Sequence, residues 1–189
     1  MKKIVALLIA AGISMAANAV PETYVLDGSH TAPRFEYSHF GYSTQVSRFD
    51  KTEGKIVIDK AAKTGSVDVT IDTKSVNTGF PLLNTHIQGA DFLDTGKFPT
   101  ITYKSTKVNF AGDKVASVDG NLTIKGITKP VTLTVTSFQC MPHPMLQKKD
   151  ACGANAVAKI LRSDFNAGKY APHVGDEVTL TFGVEAIKE

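Results

Sequence analysis

The chain has 189 residues and a formal charge of +3, but Lys2 and Lys3 lie in its first nineteen residues, which leaves 19 basic against 18 acidic residues in the rest. So nearly neutral a domain gives no electrostatic reason to bind nucleic acid or an anionic membrane surface. Residues 20–189 suit one domain with a sizeable core, and internal repeats, linkers and low-complexity segments are absent from the sequence.

The first nineteen residues read as a secretory leader. Lys2 and Lys3 precede an apolar run from Ile4 to Met15, and Ala17-Asn18-Ala19 places small residues where signal peptidase needs them. The run is too short to span a bilayer comfortably, so cleavage after Ala19 is expected rather than a membrane anchor. No later stretch is apolar enough to insert stably in a membrane.

Most of the chain beyond the leader alternates apolar and polar residues, as half-buried strands do. Tyr24 to Asp27 and Arg34 to His39 are short strands, the second carrying Phe35 and Tyr37 on one face. Ser43 to Asp59, with Phe49, reads as a long strand broken near Thr52-Glu53-Gly54. Val67, Val69 and Ile71 alternate cleanly with polar residues.

The pattern stops between Asn77 and Thr100. Leu82, Leu83, His86, Ile87 and Ala90 fall near helical spacing, with Pro81 suited to the first turn and Gly89 to the stop. The spacing predicts a short helix with Leu82, Leu83 and Ile87 facing inward and Phe92 and Phe98 beside it. Alternation resumes at Ile101 to Ser105, with Tyr103, and at Lys114 to Ile124, kinked at Gly120. Lys125-Gly126 makes a tight reversal into Ile127 to Phe138, where Pro130 requires an edge, a bulge or a strand start. Ala154 to Ser163 is a weaker strand, Asp164 to Gly175 a loop, and Glu177 to Ala186 the last strand, with Phe182 inward.

About eight strands joined mostly by short turns, with one helical insert, predict an all-β antiparallel barrel, because closure removes exposed edges. A two-sheet sandwich is the competing architecture. Cys140 and Cys152 are an even pair in a chain expected to be secreted, which suggests a disulfide. A redox or metal pair, with His143 as the nearby extra ligand, is the alternative.

The five histidines, His30, His39, His86, His143 and His173, lack the spacing of a zincin or a strand clip, so no metal site is expected. There is no nucleophile elbow, phosphate loop or dinucleotide fingerprint, and no cofactor is indicated. Asp91 and Asp94 read as turn and cap residues, and Asp164 as a local partner of Arg162. The informative supply is aromatic: ten Phe and five Tyr spread over the strands and the insert.

Tyr24-Val25-Leu26-Asp27-Gly28-Ser29-His30, the Phe35 to Gly41 run and Thr78 to Pro99 resemble the YceI-like family of periplasmic polyisoprenoid-binding proteins. So do Val118 to Val131, Arg162-Ser163-Asp164-Phe165 and Val174 to Leu180. The resemblance covers the chain after the leader, in order. It implies a periplasmic, lipocalin-like barrel, extended in shape, that holds a long isoprenoid chain such as a polyprenyl phosphate or quinone tail. Where relatives often carry arginine and an acid before the helix histidine, this chain has Leu83-Asn84-Thr85-His86.

The expected function is a non-enzymatic carrier or storage protein. Candidate tunnel-lining residues are Phe35, Tyr37, Phe49, Phe92, Phe98, Tyr103 and Phe182; candidate mouth residues are Asn84, His86 and Arg162. Two rivals remain: an enzyme acting on the bound lipid with His39 or His86 as base, and a fully packed barrel without ligand. A homodimer is left open.

Overall fold

The computed structural model describes residues 20–189. The expected leader, residues 1–19, lies outside the described residues. The described residues form eleven strands and one α-helix: β1 (Glu22–Leu26), β2 (Arg34–His39), β3 (Ser43–Phe49), β4 (Thr52–Asp59), β5 (Thr64–Asp72), β6 (Val76–Asn77), α1 (Pro81–Gln88), β7 (Thr100–Ala111), β8 (Lys114–Ile124), β9 (Ile127–Pro142), β10 (Asp150–Leu161) and β11 (Glu177–Lys188).

Eight of the strands close a ring in the order β1-β4-β5-β7-β8-β9-β10-β11, and β11 pairs back to β1. Every pairing is antiparallel, as expected, and ring closure rules out the sandwich. The order is not a simple meander, because β2, β3 and β6 leave the ring as a flap. The strand β11 makes both arrangements possible. Its first half pairs with β2 at Thr179 to Thr181, and its last residues, Ala186 to Lys188, pair with β1.

The long strand expected from Ser43 to Asp59 breaks at Asp50-Lys51, slightly before Gly54. The reason is a change of partner: β3 pairs with β2 and β6, whereas β4 pairs with β1 and β5. Gly54 serves a different purpose. A Cβ there would meet the Asp68 carbonyl oxygen at 2.3 Å, so glycine lets β4 lie close to β5.

Three bulges keep apolar side chains inward over long strands; one lies in β8, where Val115 opposes Phe110 and Ser117 opposes Asn109, leaving Ala116 extra. In β7, Ser105 opposes Gly120 and Lys107 opposes Asp119, leaving Thr106 extra. In β9, Val135 opposes Ala156 and Ser137 opposes Asn155, leaving Thr136 extra. Each bulge shifts the alternation by one, so Val135 and Phe138 both face the interior. Pro130 pairs with Asn121 of β8, but β10 pairs with β9 only from Thr134 onward. The missing proline donor therefore falls where no partner strand waits for it.

Cys140 and Cys152 stand directly opposite each other on β9 and β10 and are joined by a disulfide, their Cα atoms 4.0 Å apart. This bond lies at the end of the barrel away from α1. Among the described residues, no helix is long and apolar enough to cross a membrane.

Candidate functional site

The barrel encloses a cavity of about 500 Å³. Its lining is overwhelmingly apolar, because the inward positions of the alternating strands are Val, Ile, Leu and Phe. On β11, Val178, Leu180, Phe182 and Val184 all face it, so it runs about 20 Å along that strand at roughly 3.3 Å per residue. Tyr24, fully buried, and Cys152 line the far end.

The other end is the mouth. Three segments frame it: α1 with the turn after it, the β2–β3 turn, and the loop from 166 to 176. The helix begins at Pro81, in the first turn, and stops at Gly89, as the sequence indicates. Ile87 is buried and Leu83 half-buried against the core. Leu82 departs from expectation: it is 74% exposed, because an eight-residue helix lying across a mouth can bury only one narrow stripe.

The loop is tied down on both sides. Phe40 donates its backbone N–H to the His173 carbonyl at 2.7 Å, and Gly175 donates to Ser38 at 2.8 Å. Across the mouth, the Lys125 ammonium donates to the carbonyls of Ala90 (2.8 Å) and Asn166 (2.7 Å), and Lys169 pairs with Asp91. The rings of His86 and Phe92 meet edge to face at 5.0 Å, and Phe92 lies 6.1 Å from Tyr170. Phe40 and Tyr170 are about half exposed although both reach the cavity.

Of the sequence candidates, Phe35, Tyr37, Phe49, Phe92, Tyr103 and Phe182 face this cavity. So do His86 and Arg162, His86 from the exposed rim. Asn84 and Phe98 are not on the wall. Asn84 accepts from the Thr78 backbone N–H (2.7 Å) and hydroxyl (2.8 Å), which organises the turn before α1. Phe98 packs on Gly126: a Cβ there would lie 3.0 Å from its ring. The left-handed backbone of Lys125 and Gly126 also requires that tight turn.

Arg162, expected at the mouth, lines the cavity there and spends its guanidinium on the protein itself. It is buried, and its guanidinium donates to four backbone carbonyls of the loop: Gly175 (2.8 Å), Ala167, Lys169 (2.8 Å) and Val174 (2.6 Å). Its role is to fold the mouth loop around itself. No carboxylate pairs with it among the described residues; instead Asp176 binds the Ser163 N–H and hydroxyl. Burial holds the Arg162 pKa below its ordinary value, with Asp176 and Tyr37 acting in the opposite sense.

Most other polar groups on the wall are also engaged by the wall. The Tyr103 hydroxyl lies 2.8 Å from the Val118 carbonyl and 3.0 Å from that of Val131. Burial, then the Asp119 charge, raises its pKa. The Tyr24 hydroxyl donates to Glu22, and the Thr31 hydroxyl donates to the Glu185 carbonyl. Thr52 is different. Its buried hydroxyl faces the cavity and has no hydrogen-bond partner among the described residues. The Tyr37 hydroxyl and the rings of His39 and His86 likewise make no side-chain hydrogen bond within the described residues. Thr52, Lys125 and Tyr170 were not legible as site residues, since an isolated Thr, Lys or Tyr in a strand or turn carries no spacing signal.

On the barrel's outer surface, Asp27, His30 and Glu185 place ligand-type atoms within 4.8 Å of one another. The His30 Nδ1 lies 2.7 Å from the Asp27 carboxylate, an ordinary ion pair. Hydrogen bonds from Ser29 and His30 hold Asp27 down at about 2.

The YceI-like domain model matches residues 24–186. Protein YceI of Escherichia coli O157:H7 is 34% identical over 191 aligned positions, covering 100% of this chain and 98% of its own. Among solved structures, BcnA of Burkholderia cenocepacia is similar at a TM-score of 0.70 and 27% identity, over 85% of this chain and 98% of that one. A polyisoprenoid binding domain from Saccharophagus degradans shares the fold at a TM-score of 0.64 and 18% identity, over 88% of this chain and 98% of that one.

Proposed function

This chain belongs to the YceI-like family, and from that premise we propose that it is a periplasmic binding protein for a long-chain isoprenoid lipid. The lipid is of the polyprenyl or quinone type, and the protein carries or stores it without turning it over. The observation that carries this reading is the apolar cavity of about 500 Å³, lined at one end by buried Tyr24 and Cys152 and framed at the other by half-exposed aromatic side chains. That volume lies within the range of small-molecule sites. Each CH₂ moved out of water contributes roughly 0.8 kcal/mol, so a branched hydrocarbon tail has ample driving force. The binding domain from Saccharophagus degradans, with the same fold, supports the ligand class.

The wall chemistry favours binding over turnover. Tyr24, Tyr103 and Arg162 direct their polar atoms into the protein, and neither His39 nor His86 has a carboxylate partner among the described residues. The unengaged polar groups, Thr52 and Tyr37 along the bore and His39 and His86 toward the mouth, suit weak contacts to a polar head.

Native mass spectrometry after gentle purification, followed by thermal melts with added polyprenol or ubiquinone, tests the reading. A retained apolar ligand is expected. At a hundredfold excess over Kd, binding adds about 2.7 kcal/mol, a rise in Tm of roughly 5–10 °C for a domain of this size. Absence of both retained ligand and stabilisation would overturn the proposal.

A further inference from the structure

The barrel end away from the mouth carries donors that lipid binding does not use. The β9–β10 hairpin reads Cys140-Met141-Pro142-His143-Pro144-Met145 before turning back through Lys148 and Lys149. Past the first nineteen residues, Met141 and Met145 are the only methionines in the sequence. Both stand on the surface, 52% and 85% exposed. Methionine ordinarily fills gaps in a core, so exposing both to water beside a histidine calls for an explanation.

The backbone puts Met141 and His143 on one side and holds Met145 beside them. Cys140 points inward to its disulfide with Cys152, so Met141 points outward. The Gln139 amide, 3.4 Å from the Met141 sulfur, lies on that same outer face. The ladder continues past the last strand pair, because the His143 N–H donates to the Lys149 carbonyl at 2.7 Å. His143 therefore shares the outer face with Met141, at a two-residue repeat of about 7 Å. Met145 is tied to the ring through its backbone, whose N–H donates to His143 Nδ1 at 3.1 Å. Pro142 and Pro144 fix the backbone between the donors, and the disulfide anchors its base, which lowers the entropy lost on gathering them.

We propose that Met141, His143 and Met145 form a surface site for a soft monovalent metal ion, copper(I) or silver(I). Two thioethers and one imidazole are a soft, neutral ligand set, which favours these ions over magnesium, calcium or manganese. The surrounding charge selects in the same direction. Lys148 and Lys149 occupy the turn, and the nearest carboxylate in sequence, Asp150, lies 3.6 Å from Lys188. With no free acid beside it, the site disfavours a doubly charged ion more than a singly charged one. Both cysteines are in the disulfide, so they do not compete as ligands. Binding through His143 Nε2 moves the ring proton to Nδ1 and releases the Met145 N–H; binding through Nδ1 displaces that N–H directly.

Silver(I) is the first probe, because it needs no reductant that would attack Cys140–Cys152. The full chain, isotope-labelled at the methionine methyls, is titrated with Ag⁺ while heat of binding is recorded. The expected result is one ion per chain, with the methyl signals of Met141 and Met145 moving together. The double variant Met141→Leu/Met145→Leu keeps side-chain volume and should melt as the wild type does, yet lose at least a hundredfold in Ag⁺ affinity. His143→Ala should lose at least tenfold. Zn²⁺ should leave the methyl signals in place. Two methyls titrating independently, or a double leucine variant that binds as tightly as the wild type, would overturn the site.

Discussion

The ring of Tyr103 lies over Gly120, so close that a methyl group built on the glycine would sit 2.5 Å from the ring's Cζ. The hydroxyl beyond it reaches the carbonyls of Val118 and Val131, binding β7 to β8 and β9 across the cavity wall. The kink that the sequence suggests at Gly120 is therefore room for a side chain. Gly120→Ala should destabilise the fold by about 2 kcal/mol through overpacking, and Tyr103→Phe by about 1–3 kcal/mol through the stranded carbonyls. Chemical denaturation of both variants and the double variant should show costs that fall short of additive, since each change breaks the same contact.

Arg162→Lys should loosen the mouth. A lysine cannot satisfy four carbonyls at the spacing of a guanidinium, so a loss of about 3 kcal/mol or more is expected. Hydrogen exchange should accelerate first in residues 167–175. Uniform acceleration across the barrel would contradict a local clamp.

Thr52→Val replaces a buried hydroxyl that has no partner with a methyl group of similar shape. The ligand-free protein should gain about 1 kcal/mol, read as a higher denaturation midpoint. A loss of stability would mean that the hydroxyl is satisfied in solution.

Ala156→Phe points a large ring into the cavity from β10, opposite Phe182. The melting temperature should change little, because the ring enters open space, while retained lipid should fall at least tenfold. Unchanged lipid retention would place the ligand elsewhere.

Acid should expose the Asp27 turn. The folded Asp27 carboxyl sits at about 2, below its ordinary value, chiefly through Ser29 and then His30. Its ionised form therefore stabilises the fold above about pH 4, and that contribution disappears as pH falls toward 2. The stability gap between wild type and Asp27→Asn should narrow over this interval. His30 carries the opposite sign: its raised pKa adds stability below about pH 6.5 that is lost as pH rises through the folded value. Denaturation midpoints at several pH values check both limbs.

Local chemistry made much of this fold legible. The strands Arg34–His39 and Lys114–Ile124, the helix start at Pro81 and the pairing of Cys140 with Cys152 follow from alternation, proline and cysteine count. What escaped was non-local. The break at Asp50-Lys51 exists because the chain changes partners there, and the extra residues Thr106 and Thr136 shift alternation only because a specific strand lies opposite. The site shows the same division. Aromatic residues in strands, such as Phe35 and Phe182, could be placed on the wall by period alone. Arg162 could not, since its role depends on a loop folding back over it, and Phe98 turned out to cover the Lys125-Gly126 turn instead of the entrance.

The double pairing of β11 sets the order of events in folding. The twelve residues of β11 complete both the ring and the flap, so neither is finished before this strand docks. Until then the apolar faces of β4 to β10 have no finished interior to share, and the closing contacts join residues near opposite ends of the chain. Such long-range closure is slow and leaves sticky surfaces open meanwhile. The cavity is therefore open to any ligand only after β11 has docked against both β1 and β2.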